Sequence, residues 1–72
     1  MTLLKLKNGE SSQLVHIDKS ASCYQRLVEL GFTHGETVTV HRKAPLGGPI
    51  QVSVRDTHYA IRLSDAKCIH VA

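Results

Sequence analysis

The chain has 72 residues, nine Lys plus Arg against six Asp plus Glu, and a formal net charge of +3. A chain this short buries only about 60% of its extended surface on folding, so its apolar residues are needed for one core and little is left to support a buried catalytic site. With three Phe and Tyr residues, no Trp and scattered basic residues, it also lacks the basic stripes and aromatic platforms typical of nucleic-acid binders.

The apolar runs are all far shorter than the ~18 residues of a membrane helix. The first residues alternate lysine with leucine and so lack the apolar region of a signal peptide. Two cysteines, Cys23 and Cys68, are too few for a disulfide framework and are typical of a reducing compartment. We therefore expect a cytoplasmic protein with a single domain, residues 1–72.

The first elements predicted are two short strands, residues 3–6 and 13–17, separated by a turn cluster at residues 8–12. Because side chains alternate along a strand, Leu14 and His16 are expected on one face and Val15 and Ile17 on the other.

A helix is predicted over residues 22–30. Its apolar face has the spacing i, i+4, i+7, contributed by Cys23, Leu27 and Leu30. Ser22, followed by Gln25, fits a capping box in which the serine hydroxyl caps the helix, and Ser20 is the alternative cap. Gly31 follows the last apolar residue and should end the helix in a left-handed conformation, which allows Phe32 to fold back on Leu27.

The second half of the chain alternates apolar and polar residues in short runs bounded by turn residues, a pattern that favours a barrel or sandwich. Val38 and Val40 should face the core of a strand at 37–43, and the loop 44–49 separates it from the next strand. The remaining predicted elements are a strand at 50–55, a tight turn at 56–57, a strand at 59–62, a helical turn at 64–66 and a strand at 69–71. The prediction is a mainly β fold of five to six strands with one short helix, in which closing the sheet buries one face and removes exposed edges.

Motifs in this order resemble the FeoA family. They are Arg26-Leu27, Glu29-Leu30-Gly31-Phe32, Gly35 with Val38 and Val40, residues 44–50, Val52 and Val54, Ala60-Ile61-Arg62, Asp65-Ala66, Ile69 and Val71. The resemblance covers residues 9 to 71. One departure is His34, where the family often has proline, which leaves that turn less rigid.

The resemblance implies a small SH3-like β-barrel that supports ferrous iron uptake. It further implies docking onto the cytosolic part of the membrane GTPase transporter FeoB, so that the chain would reach the membrane only through this partner. The alternative is a small SH3-like nucleic-acid-binding module of the ribosomal or transcription type. Exposed strand edges would also allow a weak homo-oligomer.

The loop 45–49 is the main candidate for partner binding. Pro45 and Pro49 restrict φ at its two ends, while Gly47 and Gly48 permit backbone angles closed to other residues. Leu46 could then stand out as a preformed docking residue, which loses little entropy on binding, or fold back and plug one end of the barrel.

Basic residues lie on the strand before this loop and on the helix. Arg42 and Lys43, with Arg26, could steer an acidic partner surface. The alternative is that these three side chains are only solvated.

The five histidines raise the question of a metal site. Cys68 and His70 share one face of the last strand, and His16 could join them after folding. Because metal sites usually need three or four converging ligands and the sequence has no His-x-x-x-His or Cys-x-x-Cys motif, we predict scattered histidines, no metal site and no cofactor. No spacing suggests a catalytic triad, and the diglycine is not a phosphate loop, so we predict no enzymatic activity.

Overall fold

A computed structural model describes all residues, 1–72. Five antiparallel strands form one sheet, in the order β4-β3-β2-β1-β5. They are β1 (Ser11–Ile17), β2 (Thr37–Lys43), β3 (Ile50–Val54), β4 (Thr57–Ile61) and β5 (Ile69–Val71). Helix α1 (Tyr24–Leu30) joins β1 to β2, and the single-turn helix α2 (Leu63–Ala66) joins β4 to β5. The predicted mainly β fold is confirmed, with five strands. Neither α-helix has the length and apolar composition of a membrane-spanning helix.

The core lies on one face of this sheet. Strand β3 alternates strictly, with every second side chain buried, as the sequence pattern predicts. Strand β2 alternates in the same way as far as Val40, where a shift in register between Val40 and Arg42 leaves Arg42 exposed. Fifteen buried apolar residues form one cluster. Strands β2 and β3 contribute five residues to this cluster: Val38, Val40, Ile50, Val52 and Val54.

The prediction of a strand at residues 3–6 is wrong. Leu3–Lys5 forms a 3-10 helix in which the Leu6 N–H donates to the Leu3 carbonyl at 3.1 Å. Residues three apart lie on the same side of a 3-10 helix, so this conformation buries Leu3 and Leu6 together. A strand would have placed these two leucines on opposite faces.

The N-terminal residues cover one edge of the sheet. The Val71 N–H donates to the Met1 carbonyl at 2.7 Å, and Thr2 forms a bridge with His70. Strand β5 therefore has neighbours on both sides, and β4 is the edge strand that pairs only with β3.

Helix α1 begins differently from the prediction. Its N-cap is Cys23, in a right-handed helical conformation and without a side-chain cap. The residues before α1 already form turns, in which Ala21 and Tyr24 donate to the carbonyls of Asp18 and Ala21. A serine cap needs an extended N-cap residue, so Ser22 has no capping role here.

The end of α1 is as predicted. Gly31 has φ +109°, a conformation that strongly favours glycine. The Phe32 N–H donates to the Leu27 carbonyl at 3.0 Å, and both side chains are buried.

Strand β1 departs from simple alternation. A bulge between Leu14 and His16 inserts Val15 as an extra residue opposite β5. As a result Leu14 and Ile17 are both buried, whereas Val15 and His16 are both exposed. The predicted pairing of Leu14 with His16 on one face is therefore wrong.

The β3–β4 turn is shifted by one residue from the prediction. Val54 pairs directly with Thr57, which leaves Arg55 and Asp56 as the two turn residues with φ +52° and +63°. Positive φ at both positions is what a two-residue hairpin with right-handed strand twist requires.

An ion pair joins α1 to α2. Asp65 is almost buried, and its Oδ2 accepts from Arg26 Nη2 at 3.0 Å and from the Arg62 N–H at 3.2 Å. The Arg62 side chain is much farther, with Nε 4.0 Å from the same oxygen. Arg26 is therefore the side chain that pairs the nearly buried carboxylate.

We expect Arg26→Ala to lower the free energy of unfolding by about 1–3 kcal/mol, because it leaves Asp65 Oδ2 with the Arg62 N–H as its single close donor. The matched control is Arg62→Ala, which removes an exposed side chain from the same oxygen and should cost less than about 1 kcal/mol. Urea unfolding of both variants gives the comparison. Equal losses would show that the 3.0 Å contact adds nothing specific.

Candidate functional site

The β2–β3 loop, residues 44–49, projects from the sheet as a closed turn. The Ala44 N–H donates to the Pro49 carbonyl at 3.0 Å, and the Gly48 N–H donates to the Pro45 carbonyl at 3.2 Å. Two successive backbone hydrogen bonds across the loop hold its shape, so the tip is not a loose connection.

Leu46 stands at the tip of this turn, fully exposed at 104% of its reference area. This excludes the alternative in which Leu46 folds back to plug the barrel. Its φ is +59°, a left-handed conformation that costs a non-glycine residue roughly 1–2 kcal/mol. An exposed apolar side chain in a strained conformation is not explained by stability, and such outliers are a reason to look for a function.

The two glycines after Leu46 have different roles. Gly47 has φ +73° and open space around it, so its requirement is conformational. A Cβ on Gly48 would lie 2.8 Å from the Ala44 Cβ, so the close approach of the two ends of the loop requires glycine there.

The basic residues predicted around the loop are not equivalent. Lys43 donates from Nζ to the Leu4 carbonyl at 2.7 Å, which ties it to the N-terminal 3-10 helix. Arg26 is committed to Asp65. Arg42 alone is exposed and without an ion pair, so it is the one cation beside the loop that is free to meet a partner.

A groove that sequence patterns did not predict lies between β1 and α1. It has a volume of about 250 Å³ and is mostly apolar; its lining includes Val15, Tyr24, Val28, Phe32 and His34. The bulge that turns Val15 outward creates one wall. The sequence feature that could have predicted the groove is the second apolar row of α1. This row consists of Tyr24 and Val28 and lies beside the row that faces the core.

The histidines are not all scattered, contrary to the prediction. His16 and His70 face each other across β1 and β5, and their rings stack with centroids 4.3 Å apart. Asp18 joins them: its Oδ1 lies 2.9 Å from His70 Nε2 and 3.7 Å from His16 Nε2. Cys68 does not join, because its Sγ is directed to the Ser64 carbonyl at 3.5 Å.

Cys23 does not have the character of a nucleophile. Burial raises the pKa of the Cys23 thiol, and the negative charge of Asp65 raises this pKa further. Reactive and metal-binding cysteines show the opposite, a lowered pKa beside cations or metals. The Cys23 side chain packs against the core instead.

Comparison with known proteins identifies a matching family and a related fusion protein. The model of the FeoA domain family matches residues 1–72. A fusion of Fe(2+) transport protein A with Fe(2+) transporter FeoB from Porphyromonas gingivalis is 34% identical over 71 residues. The alignment covers 99% of the chain but only 8% of that fusion protein.

Two solved structures share the fold over their common length. The FeoA of Stenotrophomonas maltophilia in complex with zinc, described as an SH3 domain protein, is 36% identical with a TM-score of 0.87. The match covers 100% of this chain and 89% of the Stenotrophomonas maltophilia protein. The FeoA of Chlorobium tepidum is 32% identical with a TM-score of 0.88, and the match covers 99% of this chain and 68% of that one. The predicted SH3-like architecture is thereby confirmed.

Proposed function

This chain belongs to the FeoA domain family, which is linked to ferrous iron transport, and we propose that it docks onto the cytosolic part of FeoB and regulates or supports that transporter. The observation that carries the proposal is the fusion relative, in which a segment 34% identical to this chain is joined to FeoB in one polypeptide. Fusion keeps two segments at a high effective concentration, which favours contact between them.

The loop 44–49 supports this proposal as the docking surface. Its hydrogen bonds hold Leu46 outward before any partner arrives, so little conformational entropy is lost on binding. Pro45, Gly47, Gly48 and Pro49 shape the loop, and the exposed Arg42 adds a charge at its base. Lys43 contributes to the surface chiefly by anchoring the strand end to Leu4.

The proposal includes a cytoplasmic location, a single domain over residues 1–72, and contact with the membrane only through FeoB. It assigns no catalytic step to the chain. A weak homo-oligomer would use the β4 edge, since β5 is covered by the N-terminal residues.

Titration of this chain against the purified cytosolic domain of FeoB from the same organism tests the proposal. We expect saturable binding whose affinity differs between a non-hydrolysable GTP analogue and GDP, because a regulator must distinguish states of its partner. An unrelated small GTPase serves as the control. Absence of saturable binding in every nucleotide state would contradict the proposal.

The nucleic-acid alternative is tested in parallel with single-stranded RNA and duplex DNA. Phosphate neutralisation makes affinity fall steeply as salt rises. Because the basic residues are scattered along the chain and Phe and Tyr together number three, we expect no salt-dependent complex with either nucleic acid.

A further inference from the structure

The cluster of His16, Asp18 and His70 lies on the outer face of the β1–β5 pair. In the register of this antiparallel pair His16 is opposite His70, and directly opposed side chains on one face lie close together. The bulge at Val15 is what turns His16 to this face. The two rings are stacked, with an interplanar angle of 13°.

Backbone hydrogen bonds position the third member of the cluster. The Asp18 N–H donates to the Cys68 carbonyl at 3.0 Å, and the Asp18 carbonyl accepts from Ala21 at 3.0 Å. These contacts fix Asp18 where β1 ends, beside the start of β5. Its carboxylate therefore faces both imidazoles without depending on a flexible loop.

From this geometry we propose that His16, Asp18 and His70 bind one divalent first-row transition-metal ion, with water completing its coordination shell. Two imidazole nitrogens and one carboxylate oxygen suit Zn²⁺, Fe²⁺, Co²⁺ or Ni²⁺, whereas Mg²⁺ and Ca²⁺ prefer oxygen ligands alone.

The distances are close to those that an ion requires. Bonds of about 2.0–2.1 Å place neighbouring ligand atoms about 3–3.4 Å apart. The candidate ligand atoms lie within 4.8 Å of one another, and the His70–Asp18 separation is already 2.9 Å. Only His16 has to approach.

Binding also requires one ring to turn. A metal bonds to imidazole in the plane of the ring, so two parallel stacked rings cannot both bond to the same ion. The His16 side chain is 59% exposed and that of His70 is 29% exposed. His70 Nε2 already lies 2.9 Å from Asp18 Oδ1, whereas His16 Nε2 lies 3.7 Å from it, so His16 is the ring that rotates. The ion takes the place of the proton between His70 and Asp18, this proton leaves to solvent, and the stack opens when the ion binds.

The chain contains a matched control, a second pair of histidines. His41 and His58 have ring centroids 4.8 Å apart with an interplanar angle of 31°. No carboxylate joins them in a candidate metal cluster, and His41 Nε2 bonds to the Ser53 hydroxyl at 2.7 Å. Non-specific binding of metal to surface histidines would involve both pairs equally.

The test uses the full chain alone, without any partner, so that its outcome is independent of FeoB docking. Zn²⁺ is titrated by calorimetry, and the imidazole proton resonances are followed by NMR. We expect one ion per chain with selective shifts of the His16 and His70 resonances. With Co²⁺ we expect visible ligand-field bands and no thiolate charge-transfer band, since neither cysteine takes part.

The decisive variants are Asp18→Asn and His41→Ala. Asparagine keeps an oxygen that accepts from His70 but removes the negative charge, so the fold should be kept while Zn²⁺ affinity falls by about tenfold or more. His41→Ala should bind Zn²⁺ as the unchanged chain does, and Mg²⁺ should not compete. The proposal is overturned if Asp18→Asn binds Zn²⁺ with unchanged affinity, or if His41→Ala weakens binding equally. The cluster would then be a cross-strand hydrogen-bonded stack only.

Discussion

Replacing Leu46 with asparagine should make the chain more stable and, at the same time, weaken its binding to the cytosolic domain of FeoB. The gain in stability has a backbone cause. Asparagine adopts a left-handed conformation more readily than leucine, and Leu46 has φ +59°. Because the Leu46 side chain is fully exposed, the substitution loses no packing. We expect about 1 kcal/mol of added stability, which raises the melting temperature by about 4–8 °C in a domain of this size.

The loss of binding has a side-chain cause. An apolar residue held outward on a stiff loop is the kind of anchor that dominates binding energy when it enters a partner pocket. If Leu46 is such an anchor, Leu46→Asn should cost at least about 2 kcal/mol of binding, or roughly thirtyfold in Kd. Calorimetry against the FeoB cytosolic domain measures this change, and thermal unfolding measures stability on the same samples.

Opposite signs for stability and binding separate a functional role from a structural one. The matched control is Val15→Thr, which makes a second exposed apolar side chain polar at nearly constant shape and should leave FeoB binding unchanged. If Val15→Thr weakens binding and Leu46→Asn does not, the partner contacts the groove between β1 and α1 and the loop is not the docking surface.

Truncating Phe32 to alanine should cause the largest loss of stability. Phe32 is 1% exposed, and its ring lies against that of Tyr59 with centroids 5.6 Å apart. Buried Phe→Ala substitutions cost about 3–5 kcal/mol. The total stability expected for a chain of this length is about 4–11 kcal/mol. About a quarter or more of the folding free energy should therefore be lost.

The control for Phe32→Ala is Tyr59→Phe. The Tyr59 hydroxyl donates to the Leu30 carbonyl at 2.9 Å at the end of α1, and its removal should cost only about 0.5–1.5 kcal/mol because the ring against Phe32 stays. Urea unfolding gives the loss of unfolding free energy for both variants, provided that the m-value is unchanged. A loss below about 1 kcal/mol for Phe32→Ala would mean that the end of α1 is not part of the cooperative core.

Local patterns were sufficient for much of this fold. The alternation of Val38 with Val40 and of Ile50, Val52 and Val54 predicts which faces of β2 and β3 are buried, because the period of a strand is independent of its partners. Gly31 predicts the end of α1 because the left-handed conformation is a property of that residue alone. The prolines and glycines of the loop 44–49 likewise restrict it locally.

Local patterns failed where a distant segment decided the conformation. The composition of residues 3–6 is compatible with a strand or a 3-10 helix. Only the core shows that Leu3 and Leu6 must be buried on the same side, which a strand does not allow. Ser22 is a residue type that often caps helices. However, the turns before α1 prevent the extended backbone conformation that a capping serine needs.

The sequence by itself determined the mainly β fold, the family resemblance and the rigid loop that carries Leu46, since each depends on neighbouring residues. Only the tertiary structure decided that Lys43 is tied to Leu4, that Arg26 pairs with Asp65, and that His16 lies beside His70. The first two pairs are each 39 positions apart in the chain, and His70 meets Asp18, the third member of its cluster, across 52 positions. These contacts depend on the strand register and on the bulge at Val15. Both are set by the pairing of whole strands, so a short window of sequence does not contain the information.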